Sequence, residues 1–192
     1  MSSPLAAAIA NLCSRELSAR TAGAGEIYRA GRSMADQATH AWREHPALAT
    51  LLSPVPMEVP MVTVGLAVQP ATFAKIREAN ATPALANVPP EQDAQEFELH
   101  FPTSISLDIL TSRDPAGEGA IARFLKRFGE GIQQVEYRCV DVDRATAILK
   151  ETFAVVAVYP QARIGADNTR INFFLAPTAG GGKVLIEFYE TI

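Results

Sequence analysis

The greater part of this 192-residue sequence reads as one pattern written twice, and that duplication limits the folds open to it more than any other feature. In the first copy, residues 62–68 are β-branched and small, as a strand requires. Residues 70–80 then place Phe73, Ile76 and Ala79 on one helical face. Residues 95–101 alternate polar and apolar, Pro102, Thr103 and Ser104 read as a turn, and 105–110 read as a further strand. A helix over 116–128 ends at Gly129 and Gly131, and the pattern restarts. The second copy has a strand at 132–140 and a helix at 142–152 with Ala145, Ile148 and Leu149 on one side. A short apolar strand follows at 155–158, then a strand at 170–175, a Pro/Gly-rich turn at 177–182 and a last strand at 184–189.

The copies match in detail as well as in order. Residues 97–101, Pro102-Thr103 and 106–110 answer residues 171–175, Pro177-Thr178 and 185–189, so Asp108 and Glu187 take equivalent strand positions. The expected fold class is α+β: paired βαβββ modules forming a curved sheet, with an N-terminal helical extension. Any active site is expected between the matching strands of the two copies. The divisions are residues 1–56 for the extension and 57–192 for the duplicated domain. Within the latter, module one is 57–111, a linker helix 112–130 and module two 131–192.

The extension reads as helical. Ser3 and Pro4 suit an N-cap and first helical position, and Leu5, Ile9, Leu12 and Leu17 keep a helical period. Gly23 and Gly25 are expected to interrupt it, with a second helix over 26–43 carrying Ile27, Ala30, Met34, Ala38 and Ala41 on one face. Pro46 stops that run, residues 46–52 add a short helical turn, and Pro54, Pro56 and Pro60 form an extended linker. Trp42, the single tryptophan, is expected to anchor the extension onto the duplicated domain. His40 and His45 are five residues apart and share no helix face, so they are not a metal pair, and His100 stands alone in a strand.

Bulk properties remove several classes of function. A formal net charge of -4 with no basic run leaves no electrostatic footprint for nucleic acid. The apolar stretch 4–12 has no basic residue before it, and no run approaches the roughly 20 apolar residues of a membrane span. A cytoplasmic protein with no membrane partner is the expectation, with Cys13 and Cys139 as free thiols. There is no Gly-rich phosphate loop, nucleophile elbow or zinc-ligand spacing.

Three segments carry a resemblance. The run from Ala120 to Ile132, the segment Ala162-Arg163-Ile164-Gly165-Ala166, and the end from Ala176-Pro177-Thr178 through Gly182 to Phe188 resemble the vicinal oxygen chelate superfamily. They are most similar to the inter-module helix, a loop and the final hairpin of methylmalonyl-CoA epimerase-like proteins. The likeness is fuller in the second module than in the first. It implies a small-molecule enzyme of glyoxalase type, an isomerase (epimerase) or lyase acting next to a carbonyl. The partner implied is a small carboxylate or an acyl thioester, and many relatives pair modules between chains, so a homodimer fits.

The resemblance also implies a divalent metal held by one residue from the first and one from the last strand of each module. By position these are Thr63, Asp108, Gln134 and Glu187. The epimerase pattern has histidine at the places of Thr63 and Gln134. Without imidazole, the oxygen donors left favour no tight metal, or a weakly bound Mg, Mn or Ca ion in preference to Zn.

Read residue by residue, Asp108 and Glu187 are either catalytic proton-transfer groups and metal ligands or structural carboxylates paired with arginines. Gln134, Glu136 and Arg138 alternate on one strand and share a face. There Arg138 either neutralises a carboxylate or, with Glu136, takes part in substrate binding. Arg163 and Arg170 flank the loop 165–168, where each meets a substrate anion or simply faces solvent. Three functions stay open: an epimerase-like or lyase-like enzyme with a degenerate metal site, a metal-free sequestering protein on the same fold, or a structural use without catalysis.

Overall fold

The computed structural model describes residues 3–52, 62–178 and 182–192. The linker prolines Pro54, Pro56 and Pro60, and residues 179–181 of the Pro/Gly turn, lie outside the described residues. The chain divides into two compact units. Unit 1 comprises residues 1–30 and 64–133, and unit 2 comprises 31–63 and 134–192.

Unit 1 begins with α1 (Pro4–Leu12), capped by the Ser3 hydroxyl, which accepts from the Ala6 amide at 3.2 Å. The chain turns at Cys13–Glu16, where Arg20 donates to the carbonyls of Ser14 and Arg15, both at 2.9 Å. Helix α2 (Leu17–Glu44) then runs on without a break. The interruption expected at Gly23 and Gly25 is absent, although a mid-helix glycine costs about 1 kcal/mol relative to alanine. Packing explains Gly23: a Cβ there would sit 2.6 Å from the Ala8 carbonyl oxygen and 2.8 Å from the Asn11 Cβ. The residue lets α2 cross closely over α1.

The rest of unit 1 follows the expected order. It holds β1 (Val62–Ala67, its first two residues counted with unit 2), α4 (Pro70–Ala79), β2 (Ala94–Phe101), β3 (Ile105–Ser112) and α5 (Ala120–Phe128). Strand order is β2-β3-β1, with β1 parallel and β2 antiparallel to β3. One sheet face buries Phe97, Leu107 and Ile109 on the side that α4 covers, where Phe73 meets Phe97 edge-on at 4.8 Å. The other carries Asp108. No strand is assigned between α4 and β2; a single 3-10 turn (Pro90–Gln92) lies there. Helix α5 starts four residues later than its pattern suggests, because Asp114 accepts from the Ala116 amide at 3.1 Å and holds a turn in front of it.

Unit 2 contains the later part of α2, α3 (Pro46–Leu51), β4 (Gly131–Arg138), α6 (Val142–Phe153), β5 (Arg163–Ile164), β6 (Thr169–Pro177) and β7 (Lys183–Thr191), in strand order β4-β7-β6-β5. Its core gathers Val135, Tyr137, Phe174, Ile186 and Phe188 with Trp42, which is 3% exposed. The Trp42 ring meets Phe188 at 5.8 Å and Phe174 at 6.4 Å, both edge-on. Thr39 is fully buried and accepts from the Tyr137 hydroxyl at 3.2 Å. This part of the extension is therefore core, anchored through Trp42 as its composition predicts. The strand expected at 155–158 reduces to one isolated bridge, Ala157 with Phe174, and Val156 is 80% exposed. The two-residue β5, unforeseen in the sequence, takes its place.

Candidate functional site

Strand register carries the duplication down to single residues. In unit 1, Asp108 lies opposite Gly65 of β1 and Glu98 of β2. In unit 2, Glu187 lies opposite Glu136 of β4 and Phe173 of β6. Two residues before Gly65 and Glu136 stand Thr63 and Gln134, so the four positions nominated by the sequence are equivalent in the strands as well.

The site is most developed in unit 2. Alternation along β4 points Val135 and Tyr137 into the core and Gln134, Glu136 and Arg138 to the opposite face. Glu187 shares that face. Gln134, Glu136 and Glu187 are 6, 7 and 8% exposed. The Gln134 side-chain nitrogen donates to Glu187 Oε2 at 2.7 Å and to Glu136 Oε1 at 3.0 Å. An amide nitrogen has two hydrogens, and both are used. Gln133 points to the other face.

Arg138 is half-buried on the same face and makes no ion pair among the described residues. Beside Glu187, Phe173 meets Tyr159 edge-on at 5.9 Å, and the exposed Arg163 guanidinium lies 4.4 Å over the Tyr159 ring. Neither aromatic is distinguishable in the sequence alone. Cross-strand register with Glu187 is the signal that selects Phe173. Arg170, expected beside Arg163, points the other way, pairing with Asp143 and with Glu190 at 3.2 Å.

In unit 1, Asp108 is 6% exposed. Its neighbour on β2, Glu98, pairs with His100 at 3.0 Å, and the other His100 ring nitrogen meets the Ser106 hydroxyl at 3.2 Å. His100 is thus a hydrogen-bonded strand histidine. His40 pairs with Glu44 at 3.3 Å, while His45 caps α3 and meets Phe153 at 5.8 Å. A pocket of about 380 Å³ in unit 1, lined by Phe73, Arg77, Leu85, Gln95 and Thr111, opens on the helix-covered face and touches none of the nominated residues.

The donor set was tested against the metal implied by the family resemblance. A ligating glutamine turns its oxygen to the ion. Gln134 instead turns its N–H groups to two carboxylates. A carboxylate oxygen accepts, so the amide nitrogen is the end of Gln134 that pairs with both. Among the described residues no group of three or more His, Cys, Asp or Glu side chains has metal-binding geometry. With no imidazole among the four positions, these residues do not fit a tightly held first-row ion.

Both thiols are free. Burial pushes Cys139 up to about 11, and desolvation likewise raises the half-buried Cys13. Neither is an activated nucleophile. No helix among the described residues is long and apolar enough to cross a membrane.

The chain has the paired-module fold of the vicinal oxygen chelate superfamily, and its structural neighbours include methylmalonyl-CoA epimerases. It is similar to the methylmalonyl-CoA epimerase of Mycobacterium tuberculosis, with 29% identity over 72% of this chain and 94% of that one, at a TM-score of 0.56. A second epimerase aligns at 26% identity over 68% of this chain and 93% of its own, with a TM-score of 0.53. A Streptomyces coelicolor epimerase in complex with 2-nitronate-propionyl-CoA aligns at 22% identity over 67% and 94%, also at 0.53, and supports the fold alone. No protein-family model matches the sequence, and no curated protein matches it significantly.

Proposed function

We propose that the protein is an epimerase-like enzyme that moves a proton at the carbon next to the carbonyl of an acyl thioester. The observation that carries this reading is the buried carboxylate Glu187, held in place by Gln134 beside a second carboxylate. It stands on a fold shared with epimerases up to 29% identical. A general base needs a fixed carboxylate within reach of a carbon acid, screened from bulk water.

Glu187 removes the α-proton, and the electron pair passes into the thioester carbonyl to give an enolate. A proton returned to the opposite face inverts the centre, so a second proton-transfer group is required. Asp108, the carboxylate at the matching strand position of module one, is examined by its own substitution. Arg138 is the cation on the Glu187 face with no ion pair among the described residues, and it holds a substrate carboxylate. Arg163, over the Tyr159 ring, meets the anionic end of a larger thioester. The substrate class follows the name of the neighbour that is 29% identical, a methylmalonyl-CoA epimerase.

The test is deuterium incorporation into methylmalonyl-CoA in D₂O, read by mass spectrometry. Enzyme-dependent incorporation supports the reading, with Arg138→Met raising KM about 10- to 100-fold through loss of a charged hydrogen bond. A second reading, sequestration of a ligand without chemistry, is favoured by the aromatic pair and Arg163. It predicts saturable binding with no exchange.

A further inference from the structure

A cation can hold two buried carboxylates together by sitting between them. In unit 2 an amide stands between Glu136 and Glu187 instead. Glu136 and Glu187 are register partners on adjacent parallel strands and point to the same face. Both are buried, and both accept from one nitrogen, Gln134 Nε2, at 3.0 and 2.7 Å. Like charges on neighbouring strands repel, and burial strengthens the repulsion. A donor between them is the least that this arrangement demands.

We infer that Gln134 is a built-in substitute for the metal ion: its amide clamps Glu136 and Glu187, fixes the carboxylate of Glu187 and makes module two independent of a divalent cation. The amide supplies two directed N–H groups where an ion would supply charge. It also sits at the position that would have to turn its oxygen inward to ligate. The two modules differ accordingly. Module one has Gly65 opposite its carboxylate and Thr63 two residues earlier, and so has no second carboxylate to clamp at this position.

The clamp concerns the same face as the proposed catalysis, but its test does not depend on turnover. In ¹⁵N-labelled protein, the Gln134 side-chain amide is assigned by its loss in Gln134→Met. The inference expects two resolved, slowly exchanging amide protons that do not move on titration with Mg²⁺ to about 10 mM, well above the range of dedicated hard-cation sites. Thermal denaturation gives the second readout. Mn²⁺ leaves the wild-type Tm unchanged. Gln134→Glu and Gln134→His, which replace the amide by a metal ligand, gain about 5–10 °C at a hundredfold excess over their dissociation constants. Saturable wild-type binding of Mn²⁺ or Mg²⁺ at micromolar concentration, with movement of the Gln134 amide signals, would overturn the inference. A rapidly exchanging amide would do so as well, and that measurement stands even where the substituted proteins do not fold.

Discussion

The two modules place a carboxylate at the same point in the same strand and surround it differently. On β3, Asp108 lies opposite a glycine and beside Glu98, which is occupied with His100. On β7, Glu187 lies opposite Glu136 and shares the Gln134 amide with it. Duplication therefore preserved where a functional group stands, and divergence changed what holds it. The hydrogen bond from the Gln134 amide holds the Glu187 carboxylate in one orientation, which proton transfer needs. The proposed role of Glu187 rests on this difference and can be broken at several points.

The largest effect is expected at the carboxylates themselves. Glu187→Gln lowers the rate of epimerisation about 10²- to 10⁴-fold, the usual size of a general-base contribution, with KM nearly unchanged in steady-state assays. Asp108→Asn is the matching substitution in module one. An intact rate in that variant would confine the chemistry to module two.

The next effect is on stability. Trp42→Ala removes a buried ring packed on Phe174 and Phe188 and destabilises the protein by about 3–5 kcal/mol, seen as a lower urea midpoint. If the midpoint holds, the extension is not part of the unit 2 core. A smaller loss, about 1–3 kcal/mol, follows Gly23→Ala in unit 1, where the added methyl meets the Ala8 carbonyl. No change there would mean that α1 can shift away.

The smallest effect is at high pH in unit 2. The buried Cys139 thiol titrates near 11, above its ordinary value of 9. A raised pKa in an acid that is neutral when protonated means that the unfolded chain loses its proton first. The stability is therefore full below pH 9 and declines between about 9 and 11. Cys139→Ala flattens that part of the pH–stability curve measured by urea denaturation. A wild-type slope that survives the substitution points to other groups, such as Tyr137, whose hydroxyl burial also raises.

Much of the fold was legible in the sequence because its signals are local. Alternation over β2, the helical face of α6 and the Ser3-Pro4 cap each depend on residues a few places apart. The departures are where distant contacts decide. Gly23 breaks a helix by propensity, but only the approach of α1 shows why a glycine belongs inside one. Residues 155–158 have a strand's composition, yet Val156 and Val158 are exposed and the short β5 pairs with β6 instead. The equivalent strand places of Asp108 and Glu187, and of Thr63 and Gln134, were reachable by matching the copies. The clamp was not, since it depends on a bond between residues 53 positions apart. Arg138 and Glu136 share a face as alternation requires, but no ion pair joins them, and Tyr159 carried no signal of its own.

The central claim is that the module-two carboxylate, Glu187, takes the α-proton. Its most direct test is exchange of that proton for deuterium, followed separately for each epimer of methylmalonyl-CoA with wild-type protein and Glu187→Gln. The account predicts that the wild type exchanges the α-proton and that Glu187→Gln, though folded, loses that exchange from the epimer whose proton Glu187 takes. Undiminished exchange of both epimers by Glu187→Gln, or none by the wild type, would contradict it.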